Sequence, residues 1–175
     1  MRVDRWLLRP RVLAGLGAAV LACIALFQLP WSPAASAHFI ALTGAPPFDE
    51  RPAGYAVSGV LAAFRQLGAA GLADYEAYRA VDIVFPWLLC ALVAAVMLRV
   101  DAARATMWPW LAAAADTAEN ALQYAILATR DDLSPQLVQW ASAATQLKFV
   151  LYALMLLMLL AVGARALWRQ RRAAH

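Results

Sequence analysis

Residues 112–124 read AAAADTAENALQY. Asp116, Glu119, Asn120 and Gln123 stand at i, i+3, i+4 and i+7, so an α-helix carries all four on one face. The other faces of this segment are almost entirely alanine and leucine. Trp108, Pro109 and Trp110 precede the stretch, and the apolar pattern continues to about residue 128. That length matches the ~20 residues needed to cross a hydrocarbon core. Ionisable groups at such depth are costly, so they are expected to face a bundle interior and to have a partner.

Composition points the same way. Of 175 residues, 64% are hydrophobic, against the roughly 45–50% of an ordinary soluble domain. The reading is an all-α integral membrane four-helix bundle, one domain over residues 1–175. Its spans are expected at about 12–30, 83–100, 107–128 and 138–162. Residues 31–82 then form an outer region, with loop over 32–54 where Pro46, Pro47 and Pro52 oppose regular structure. Val57, Val60, Leu61, Phe64 and Leu67 recur at helical spacing until Gly68 stops them, which predicts a short extracytoplasmic amphipathic helix. It either lies along the membrane surface or caps the bundle. A further helix is expected after Gly71, with Pro86 freeing one backbone carbonyl near the start of the second span.

The N-terminal segment has two readings. Basic residues, an apolar run and Ala35-Ser36-Ala37 fit a cleavable secretory signal. The run from Val12 to Pro30 is long for a signal core, which favours a retained first helix. Ten of the fourteen arginines fall at the N-terminus (Arg2, Arg5, Arg9, Arg11), at 99–104 and in the tail from Arg165 to Arg172. Asp4 and Asp101 are the only acids in those segments. The opposite side holds Arg51, Arg65, Arg79 and Arg130. By the positive-inside rule both termini are expected to face the cytoplasm.

Lys148 is the only lysine. It lies about ten residues into the fourth span, and Asp116 about nine into the antiparallel third, each ~13–15 Å deep at the helical rise per residue. The two are therefore expected to meet. Thr145, Lys148 and Tyr152 share a face. Asp82 enters from the outer end of the second span. Asp82, Asp116 and Glu119 outnumber Lys148, so either one carboxyl keeps its proton, a ligand or cation supplies charge, or Asp82 is hydrated. Such a cluster serves binding, transport or acid–base chemistry, or else it locks alanine-rich helices in register.

Other features are plainer. Cys23 and Cys90 sit in apolar runs and read as packing residues. Trp87, Trp108, Trp110 and Trp140 read as interfacial anchors rather than a cation cage. His38 is isolated in a loop, and His175 ends the chain. No His/Cys metal spacing, phosphate loop or nucleophile elbow is present, so no cofactor and no metal is implied. A DxxE pair could hold a hard cation, but the neighbouring lysine argues against it. The arginine tail reads as a topology signal or an anionic-lipid contact, not a nucleic-acid surface.

Gly54-Tyr55, Leu67-Gly68, Tyr78, Asp82 with Phe85-Pro86, Asp116-x-x-Glu119-Asn120, Ala141-Ser142 and Lys148 occur in that order over 48–160. This set resembles an uncharacterised family of small four-helix bacterial membrane proteins. Thr145-Gln146 departs from the more aromatic stretch of that pattern. The resemblance implies a retained first helix and a shared polar centre, and it implies no activity. Three functions fit these residues: handling of a lipid or isoprenoid, transport or proton relay, and a structural or accessory role. The expected partners are membrane lipid and a hydrophobic small molecule.

Overall fold

Pro10 occupies the first turn of helix α1 (Pro10–Gln28), where a missing N–H costs nothing, and Pro30 follows its end. The computed structural model describes residues 8–100 and 102–173; Arg2, Asp4, Arg5, Asp101 and His175 lie outside them. Among the described residues the chain is all-helical. After α1 come α2 (Ser36–Thr43), α3 (Val57–Arg99), α4 (Met107–Ala128) and α5 (Pro135–Ala173), joined by 3₁₀ turns at Phe48–Glu50, Ala103–Thr106 and Arg130–Asp132.

One expectation is corrected. The region 32–54 is not all loop, because SAHFIALT forms α2, closed by Gly44 in the left-handed conformation (φ 70°) that a glycine cap supplies. The prolines delimit this helix rather than abolish it. The amphipathic segment ends at Gly68, as its sequence predicts: α3 is two helical segments broken there, where a φ of 59° and ψ of −170° lie in a region essentially reserved for glycine. The last helix is longer than its apolar core and continues through the arginine tail.

α4 packs against both α3 and α5, while α1 and α2 pack on α3. The segment of α3 before the break buries Val60, Ala63 and Leu67 against Phe48, Tyr75, Ile126 and Val138, so it caps one end of the bundle. A second apolar cluster, Cys90, Val93, Met97, Ala112, Ala113 and Met155, fills the other end. On each of α3, α4 and α5 the stretch between these clusters carries the polar residues.

The burial pattern is inverted relative to a soluble protein. Leu21, Ile83, Val84, Leu147, Val150, Leu156, Leu157 and Leu160 point outward, whereas Arg79, Asp82, Asp116, Glu119 and Lys148 are buried. Helices α1, α3 and α5 are each long and apolar enough to cross a membrane. Helix α4 has the length but turns its polar residues inward.

Candidate functional site

Helix α4 forms the spine of a buried polar network. Its inward face brings Asp116, Glu119, Asn120 and Gln123 together, all buried. Lys148 on α5 reaches Glu119, with Nζ 3.2 Å from Oε2 and 3.7 Å from Asp116 Oδ1. Thr145, one turn away, donates to Glu119 Oε1 at 3.1 Å, and Tyr152 donates to Asp116 Oδ2 at 2.9 Å. Gln123 donates to the same Glu119 Oε1 at 3.0 Å and to the Tyr55 hydroxyl at 2.6 Å. Tyr75 in turn donates to Gln123 Oε1 at 3.3 Å.

Helix α3 contributes a second cation. Arg79 is fully buried (0% exposed) and faces four side chains at once. Its Nη1 lies 3.1 Å from Asp82 Oδ2 and 3.2 Å from Asp49 Oδ1. Its Nη2 donates to Asn120 Oδ1 and lies 3.6 Å from Glu119 Oε2. Glu119, also fully buried, therefore sits between Arg79 and Lys148. Asn120 Nδ2 donates to Asp116 Oδ1 at 3.0 Å and to the Asp82 carbonyl at 3.2 Å.

All eight side chains singled out from the sequence, Asp82, Asp116, Glu119, Asn120, Gln123, Thr145, Lys148 and Tyr152, lie in this one network. Sequence reasoning missed Arg79 and Asp49. Arg79 was placed with the outer-side charges, yet it lies three residues before Asp82, and that i, i+3 spacing was the available signal. Asp49 carries no such signal. It comes from the 3₁₀ turn Phe48–Glu50, folded against α3 so that the Tyr78 hydroxyl donates to Asp49 at 2.7 Å and to Glu50 at 3.0 Å. Partial burial, and then the neighbouring Asp49, push the Glu50 carboxyl above its ordinary range.

The turn that delivers Tyr55 is set by Gly54. Its φ is 79°, and a Cβ there would meet Ser142 Oγ and come within 2.6 Å of Gln146 Nε2. Only glycine allows that approach, after which the Tyr55 amide donates to Ser142 Oγ at 2.9 Å.

The buried charges do not balance. Four carboxylates, Asp49, Asp82, Asp116 and Glu119, face two cations, Arg79 and Lys148. One oxygen from each of Asp82, Asp116 and Glu119 lies within 4.8 Å of the others, a spacing that could hold a hard cation. Glu119 Oε2, however, already faces both Arg79 and Lys148.

One side of the network is open. A cleft of about 360 Å³ has Asp82, Asp116, Lys148 and Tyr152 in its wall, Phe27, Phe85 and Phe149 around it, and Asp49, Glu50 and Tyr78 at one end. Phe27 of α1 stands 5.6 Å edge-on from Phe85 and 5.0 Å from Tyr78, ring centre to ring centre. Among the described residues no tryptophan lines it. No protein family, curated protein or solved structure matches the chain.

Proposed function

We propose that this chain is a four-span protein of a bacterial inner membrane that binds an amphiphile, of lipid or isoprenoid type, in the cleft beside its buried acid–lysine network. In this reading α1, the part of α3 from about residue 83, α4, and α5 to about residue 162 cross the bilayer, with both termini cytoplasmic. Outward leucines and isoleucines with inward charges support the membrane placement, because lipid replaces the apolar core and leaves the interior for polar contacts. Arg79, being buried, drops out of the outer-side charge count, so the arginine asymmetry is steeper than it is in the sequence.

One observation carries the binding role: the polar network opens into a cleft flanked by three phenylalanines. A purely structural network gains nothing from an opening beside it, since any polar group that faced the cleft at that depth would meet acyl chains. The apolar rings suit a hydrocarbon or isoprenoid body. The wall presents more carboxylates than cations, which favours a head group that donates hydrogen bonds, an alcohol or an amine, over a phosphate. The resemblance to small four-helix membrane proteins is compatible with this and adds no activity.

Native mass spectrometry of the protein released from its own membrane in mild detergent tests the proposal. A reproducible apolar adduct is expected on the wild type, lost in Phe149→Trp, which fills the cleft, with thermal stability unchanged. A protein that carries no adduct, or an adduct that survives Phe149→Trp, defeats it.

A second reading has its own support. Tyr152, Asp116, Lys148 and Glu119 form a continuous run of titratable groups joined by a hydrogen bond and two ion pairs, as a proton relay requires. Proton flux in proteoliposomes that ceases in Asp116→Asn would favour relay over binding.

A further inference from the structure

A cavity larger than the central cleft lies away from the acid network. It measures about 450 Å³ and lies between the end of α3 with the turn Ala103–Thr106 and the C-terminal part of α5. Arg104 enters it from the turn, and Arg165 and Arg169 from α5. The local sequence explains the space. Val162, Arg165, Ala166 and Arg169 recur at i, i+3, i+4 and i+7, so one face of α5 turns toward the turn. The residues opposite include Ala102, Ala103 and Ala105, whose methyl groups leave a gap that larger side chains would close.

From this cavity we propose a phosphate-binding site whose natural occupant is the phosphate of an anionic phospholipid. Three arginines from two elements line it, and among the described residues none of them has an acidic partner. Guanidinium forks match phosphate oxygens in pairs, better than a point charge does. All three side chains are exposed, as a site filled from outside requires. Position supplies the lipid. Val162 ends the apolar run of α5 and Arg165 stands one turn later, at the height of the headgroups in the proposed placement. The apolar lining below the arginines offers a surface for the start of an acyl chain. The site is independent of the central cleft and depends on the membrane reading only for the source of the phosphate.

Detergent-solubilised full-length protein is titrated with phosphatidylglycerol, with phosphatidylcholine and with inorganic phosphate, by native mass spectrometry. The wild type is expected to prefer phosphatidylglycerol over phosphatidylcholine. Arg165→Gln with Arg169→Gln should weaken that binding by roughly tenfold or more, because each removes a guanidinium fork that pairs with phosphate oxygens. A matched control, Arg171→Gln with Arg172→Gln, removes the same charge outside the cavity and should change affinity less than about twofold. If inorganic phosphate competes with the lipid at equal concentration, the phosphate site stands and its occupant is free phosphate. Equal losses from both double variants would reduce the effect to diffuse charge and overturn the site, as would wild-type binding to neither phosphatidylglycerol nor phosphate. Exposed arginines are changed throughout, so melting temperatures should agree within the series. A variant that melts early is replaced by Arg104→Gln, read in the same way.

Discussion

Asn120 donates from Nδ2 to the backbone carbonyl of Asp82, 3.2 Å away across the α3–α4 interface. That carbonyl is the one Pro86 leaves without a helical donor, because residue 86 has no N–H to return to position i−4. One asparagine thus repairs a proline defect in one helix while joining Asp116 on its own helix and Arg79 on the other. Fold and site are held by the same amide.

This repair makes the two positions energetically coupled. Asn120→Leu should destabilise the protein by about 1–3 kcal/mol, the cost of leaving a buried acceptor unpaired. Pro86→Ala restores an N–H that can serve the Asp82 carbonyl. It should therefore recover about 1 kcal/mol more in the Asn120→Leu background than in the wild type. Unfolding in detergent across the four-protein cycle measures the coupling, and strictly additive effects would show that the amide and the proline are unrelated.

Gly54 makes a sharper steric case. Gly54→Ala must accept a left-handed φ and displace Ser142 or Gln146, so a loss of about 2 kcal/mol or more is expected. Ser142→Ala in the same protein removes one obstacle but not the backbone strain, and should return only part of the loss. Full recovery would mean that φ at this turn is of no consequence. Thermal melting distinguishes the two.

Glu50 sets an acid-side pH dependence. The folded form holds its proton more tightly than the unfolded chain does, since partial burial and Asp49 raise its carboxyl above 4.5. The stability contributed by this group is therefore complete below that value and is lost as pH rises through the folded value. Glu50→Gln, which cannot ionise, should gain on the wild type as pH rises from about 4.5 and then hold a constant advantage. The difference in melting temperature between the two proteins, followed over pH, reports it. An advantage that shrinks with rising pH would reverse the sign and remove burial as the cause.

How much of this could be read from the chain varies with the kind of residue. Asp116, Glu119, Asn120 and Gln123 were legible because helical period alone puts them on one face, and Lys148 because an isolated lysine at matching depth has few other places to go. The helical class followed from apolar periodicity. What escaped was set by tertiary contact. Asp49 lies in a proline-bounded turn with no period, and only its docking beneath Tyr78 buries it. Arg79 resembles a surface residue in sequence, since nothing local tells a buried guanidinium from a solvated one. The helix Ser36–Thr43 has neither an amphipathic pattern nor a side-chain cap, and its ends are defined by packing and by Gly44.

Arg79 carries the strongest prediction, because it is the cation that the carboxylates of α3, α4 and the 3₁₀ turn share. Replacing it with methionine keeps much of the volume but leaves Asp49 and Asp82 without their closest cation and Glu119 with Lys148 alone. Removing one partner from a buried ionic cluster costs about 3–5 kcal/mol, so Arg79→Met should fold poorly. Arg79→Lys keeps the charge yet should recover less than half of that loss. A single ammonium cannot span the positions taken by Nη1, toward Asp49 and Asp82, and Nη2, toward Asn120 and Glu119. Adding Asp49→Asn and Asp82→Asn to Arg79→Met removes the uncompensated acids and should restore more stability than the lysine does. Lysine performing as well as arginine would mean that total charge, and not the fork, holds the centre of the bundle together.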